Sequence, residues 1–104
     1  MTELRWDPAR FRLELRGHAG RGRRGEDLCC AAVSALTFTL VNAARAREDY
    51  HAAVELDPAG PALRLRCRPE DESACWEMFR TALTGFRLLR EQYPEHVRLE
   101  EGEE

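Results

Sequence analysis

The sequence contains no lysine, and all sixteen of its basic residues are arginine. We read this as the coding bias of a GC-rich genome, with no bearing on mechanism. An apolar leader is also absent: Met1 to Trp6 has no h-region, and no apolar run approaches the roughly 18 residues of a membrane span. A cytoplasmic protein is therefore expected. Without a secretion signal, the four cysteines at 29, 30, 67 and 75 are expected as free thiols rather than disulfides. His18, Cys29, Cys30, His51, Cys67, Cys75 and His96 show no paired zinc-ligand spacing, so neither a metal nor another cofactor is expected. Walker and GxGxxG spacings are missing, which leaves phosphate binding by a glycine loop without support.

What is present suits one compact domain. The chain has 104 residues, 43% apolar and 34% charged, proportions of a globular protein. Its formal charge of -3 gives no overall attraction to nucleic acid or acidic lipid, so any such attraction has to come from a local patch. We expect a single domain over residues 1–99, followed by an acidic, frayed tail at 100–104.

Apolar residues alternate with Arg12 and Glu14 from Phe11 to Leu15, the period of a strand with one wet face, and a short strand around Leu4 precedes it. Gly17 to Gly25 is too rich in glycine and arginine for a regular element and reads as a loop. Glu26-Asp27 then opens a helix, with Asp27 as N-cap and Cys30 near its third position. Cys29, Val33, Leu36, Leu40 and Ala44 centre the apolar stripe, with Cys30 and Ser34 on its margin. Val54 to Leu56 and Leu63 to Cys67, separated by Pro58 to Pro61, read as a hairpin. Pro69 suits the start of a second helix with Phe79, Ala82, Leu83, Phe86 and Leu89 inward, and Val97 to Leu99 gives a last strand. This order predicts an α+β two-layer sandwich: a largely antiparallel sheet with both helices on one face.

A thiol is a nucleophile only as thiolate, and a helix start with its unpaired amides favours that form. Cys30 has that placement. His18, at the end of a strand, can take the thiol proton and later protonate a leaving amine. Cys29, Cys67 and Cys75 read instead as small core residues. Ser34, one turn after Cys30, either orients substrate or bonds its own helix backbone.

The run Gly17-His18-Ala19-Gly20, followed by Gly25-Glu26-Asp27-Leu28-Cys29-Cys30-Ala31-Ala32-Val33-Ser34-Ala35-Leu36, resembles the signature of the ribosomal-processing cysteine protease family, often called Prp or YsxB-like. The likeness continues through Val41-Asn42-Ala43 and returns near Leu89 to Pro94. It implies His18 and Cys30 as the catalytic pair, Asp27 and Ser34 as supporting residues, and a substrate loop that includes Gly17, Ala19, Gly20 and Gly25. It further implies a homodimer that trims an N-terminal extension from large ribosomal subunit protein twenty-seven. Cys29 departs from the family's usual valine, and Arg21, Arg23 and Arg24 stand where aromatic or acidic residues are common.

Two rival readings remain. Arg10, Arg12, Arg16, Arg64, Arg66 and Arg68 project from the polar side of the sheet, where pairing with Glu3, Glu14, Glu55 and Asp57 makes an ordinary surface and failure to pair makes an RNA-binding module. The ordinary surface is favoured, with no direct nucleic-acid contact, because no aromatics interleave to stack on bases. The second rival is a thiol redox or metal-binding protein.

Overall fold

The computed structural model of the chain describes residues 1–17, 24–57 and 62–102, and of residues 24–27 the backbone alone. Strands β1 (Thr2–Asp7) and β2 (Arg12–Arg16) form where the sequence alternates. Between them Pro8–Arg10 makes one 3-10 turn, closed by Phe11 in the left-handed region at φ 46°. The expected strand from Phe11 to Leu15 thus begins one residue late. Phe11 keeps the inward phase of Leu13 but enters the core from the turn, 5.9 Å from Trp76 and 6.2 Å from Phe79. That burial offsets the cost of a left-handed aromatic residue.

Helix α1 (Arg24–Arg45), strands β3 (Ala53–Leu56) and β4 (Ala62–Arg66), helix α2 (Glu72–Gln92) and strand β5 (Val97–Glu101) follow. The turn expected at Pro58 to Pro61 lies outside the described residues. Helix α2 starts at Glu72 rather than Pro69, with the Asp71 carboxylate accepting from the Ala74 amide at 3.2 Å. The reason is tertiary: Arg68 and Glu70 donate their amides to the Tyr50 and Asp49 carbonyls, which ties this segment to the turn Glu48–Tyr50 and holds it out of the helix.

The strand order is β3-β4-β2-β1-β5, antiparallel throughout except for the parallel pair β1 and β5. Both helices pack on one face, giving the expected two-layer α+β sandwich. Glu100 and Glu101, expected in the acidic tail, belong to β5, and residues 103–104 lie outside the described residues. Glu101 sits opposite Trp6 on the helix side, where Arg87 of α2 donates Nε to it at 3.1 Å and holds its carboxyl below the usual range. The Gly102 amide then bonds the Trp6 carbonyl at 2.8 Å.

Trp6 and Phe79 stack with ring centroids 4.5 Å apart, and Trp76 meets Trp6 edge-on at 5.8 Å. These rings join α2 to the middle of the sheet. The two helices come close at Gly85, where a Cβ would lie 2.8 Å from Leu36 Cδ1. By length and composition alone, Leu28–Arg45 is apolar enough to cross a membrane, a test that a core helix also passes. Ser34, Thr37, Thr39 and Asn42 interrupt it, so no continuous apolar run marks it. Its inner side, including Cys29, Val33, Leu40 and Ala44, is buried in the core.

The other face of the sheet is a charge lattice. Register aligns Glu55, Arg64, Glu14, Arg5 and Glu100 in one row across all five strands. Arg64 approaches Glu14 at 3.2 Å and Glu55 at 3.5 Å, and Arg5 reaches Glu100 at 3.2 Å. Arg64 Nε is buried and close to Glu14, yet it lacks the direction of a hydrogen bond. The exposed pair Arg5–Glu100 contributes roughly 0–1 kcal/mol.

Fully buried Phe79 is the ring on which this packing closes. Phe79→Ala should destabilise the fold by about 3–5 kcal/mol, read as a large drop in the melting temperature. A loss below about 1 kcal/mol would show that α2 is held by other contacts.

Candidate active site

Two chain segments carry the predicted chemistry: the end of β2 and the first turns of α1. Gly17 leaves β2 at φ 82°, and a Cβ built there would collide with the Met1 carbonyl oxygen. Only glycine fits this bend, because the obstacle is backbone and the conformation is left-handed. Its position directs the chain into His18. His18, Ala19 and Gly20, with the arginines at 21 and 23, lie outside the described residues.

Helix α1 begins at Arg24, earlier than its expected opening at Glu26-Asp27. Gly25 is therefore helical backbone rather than loop, and Asp27 lies inside the first turns rather than at the cap. Arg24 and Glu26 are good helix formers, and one glycine near the start costs only about 1 kcal/mol. The shift moves Cys30 into the second turn. Its own amide then belongs to the helix ladder, since only the first four amides of a helix lack a partner, and the dipole's effect fades beyond the first turn. The helix start accordingly favours a Cys30 thiolate less than the sequence suggested.

The vicinal cysteines differ as the helical projection predicts. Cys29 is 1% exposed, and burial, followed by the neighbouring Cys30, pushes its thiol above the usual range. Cys30 is half-buried at the margin of the stripe. Ser34 is also half-buried one turn later. The nearby hydroxyls of Thr37 and Thr39 bond back to Val33 and Ala35, each at 2.7 Å. Ser34 makes no such bond among the described residues, which leaves its hydroxyl available beside Cys30.

Cys67 and Cys75 are buried core thiols, as expected, and burial, followed by the neighbouring Cys67, pushes Cys75 up to about 12. Among the described residues, no cluster of His, Cys, Asp and Glu could hold a metal ion. One surface escaped the sequence reading. Leu28 and Phe38 are 64% and 59% exposed on the outer side of α1, with Ala31 and Ala35 exposed between them. Their spacing of three, seven and ten residues from Leu28 is a second apolar stripe opposite the first.

The model of the family described as cysteine protease Prp matches residues 7–98. A ribosomal processing cysteine protease Prp of Staphylococcus aureus strain Mu50 is 29% identical over 83 residues, covering 80% of this chain and 78% of the relative. The crystal structure of the S. aureus ribosomal processing protease Prp with a covalently linked product peptide has the same fold. Its TM-score is 0.77 at 23% identity, with 97% of each chain covered. SMU.848 from Streptococcus mutans superposes with a TM-score of 0.74 at 28% identity, over 96% of this chain and 90% of that one.

Gly17→Ala tests how far the β2 bend governs the site. Shifting the following residue by about 1 Å should lower kcat/KM on the order of 10–100-fold, with a smaller loss of melting temperature. Unchanged cleavage would mean that the Met1 contact does not position the chain beyond Gly17.

Proposed function

The chain belongs to the Prp family of cysteine proteases, and from that premise we propose that it removes the N-terminal extension of large ribosomal subunit protein twenty-seven, with Cys30 as nucleophile and His18 as general base. As a cysteine endopeptidase it is no longer open to the reading as a non-catalytic module. The substrate assignment draws on the S. aureus relatives, which are named for ribosomal processing. Support for Cys30 comes from the contrast with its neighbour: of two adjacent thiols on one helix, only Cys30 is accessible to a peptide.

In the proposed mechanism, His18 takes the Cys30 proton and the thiolate adds to the scissile carbonyl. The amine leaves with the proton from His18, and water then hydrolyses the thioester. Because the Cys30 amide is committed to the helix ladder, the oxyanion needs donors from elsewhere, such as the unpaired amides of residues 24–26. Asp27, within the first turns of α1, and Ser34, one turn after Cys30, are proposed to orient the reacting groups. Gly17, Ala19, Gly20 and Gly25 are proposed to shape the peptide-binding segment. The exposed stripe of Leu28, Ala31, Ala35 and Phe38 supports a homodimer in which a second copy covers α1, and a cytoplasmic location is proposed with it.

With a peptide copying the extension, Cys30→Ser and His18→Ala should each lower turnover by at least about 1,000-fold, whereas Cys29→Val should retain most activity. Iodoacetamide at neutral pH should label Cys30 before any other thiol. Loss of activity in Cys29→Val with retention in Cys30→Ser would reverse the assignment. The dimer is tested by Phe38→Glu, which should convert the protein to a monomer in sedimentation velocity. A wild-type chain that already sediments as a monomer would refute the dimer.

A further inference from the structure

The charge lattice is not matched at one end. Arg66 lies opposite Arg12 in the register of β2 and β4, so two guanidinium groups are neighbours. Arg12 is compensated by Asp7 and Glu14, each at 3.6 Å. Arg66 and Arg68 have no carboxylate within ion-pair distance among the described residues. With Arg10, which also bonds Asp7 at 3.1 Å, they line a groove of about 500 Å³ that contains Phe11 and a single acid, Glu72. The next acids along the chain are engaged elsewhere, Asp71 in capping α2 and Glu70 at 3.3 Å from His51.

We infer that this groove docks the phosphodiester backbone of RNA. Guanidinium forks match phosphate oxygens in pairs, and a row of them follows a chain of phosphates. The large exposed apolar residues, Met1, Leu28, Phe38, Leu56 and Leu88, all lie outside the groove, so nothing there inserts into a lipid surface. Phe11 is 7% exposed and offers no face to a base, so contact is with the backbone and independent of sequence. Arg12 and Arg66 stand at the opposite end of β2 from Gly17, about 17 Å along the strand. A peptide at Cys30 and RNA in the groove therefore do not compete. The choice of RNA over DNA rests on the proposed ribosomal substrate.

The test is fluorescence anisotropy of a labelled RNA of about 20 nucleotides across a salt series, beside short-peptide cleavage by the same preparations. Three arginines predict a log–log salt slope of about -2 for single strands. Arg66→Glu/Arg68→Glu should weaken RNA binding by about tenfold or more and flatten the slope, while peptide cleavage is unchanged. Arg16→Glu/Arg90→Glu, an equal charge change elsewhere, should keep the affinity within about twofold. If the first variant melts early, Arg68→Gln alone should still cost about threefold. Undetectable binding at low salt, equal losses in the two double variants, or equally strong competition by polyglutamate each overturns the inference. Failure of peptide cleavage with intact RNA binding would instead count against the proposed substrate alone.

Discussion

Two helices have to cover five strands, and most of the molecule's layout follows from that mismatch. Five strands about 4.8 Å apart make a layer roughly 24 Å wide, whereas two packed helices of about 10 Å each cover roughly 20 Å. The shortfall falls on β3. In the helix-side row Leu99, Leu4, Leu15, Leu63 and Leu56, burial runs from nearly complete at Leu99 and Leu4, through half-covered Leu15 and Leu63, to 71% exposure at Leu56. In the neighbouring row, Trp6, Leu13 and Leu65 are fully covered. The sheet is thus open at the corner near the end of β2, beside the bend at Gly17.

The same shortage of cover sorts the thiols. Helix α1 has to spend its inner stripe on the sheet and on α2, so Cys29 is drawn into the core. Cys30, about 100° around the helix, stays at the margin. Exposure of the two thiols is separated here by direction alone, with no difference in residue type. Cys67 and Cys75, free thiols at the end of β4 and on α2, are buried as completely as Cys29.

Much of this was legible in the sequence because alternation and helical periodicity report which side of an element is inside. They gave the element order, the two-layer class and the contrast between Cys29 and Cys30. They do not report where a backbone amide finds its partner. Helix α2 started late because Arg68 and Glu70 bond the segment before Tyr50, and α1 started early because Arg24 to Asp27 continue the helix past the expected cap. Phe11 was read as strand because its inward phase is the same in a strand or a left-handed turn. Expected pairs such as Arg64 with Glu14 and Glu55 formed, but the partners of Glu3 and Arg5 come from β5, whose parallel place beside β1 no local pattern announces. The bend at Gly17 was hidden for the same reason, since its obstacle is the carbonyl of Met1.

The charge lattice also contributes to alignment. Apolar alternation rejects a slip of one residue, which would turn every leucine outward, but it is blind to a slip of two, which leaves the leucines inside. Charge is not blind to it. Moving β4 by two residues on β2 would set Arg64 against Arg12 or Arg16 in place of Glu14, putting like charges directly opposite each other. Each pair adds little to the stability of the native sheet, yet together they separate it from its nearest misaligned neighbours. The wet face acts as a parity check on an assembly that the dry face can read only modulo two.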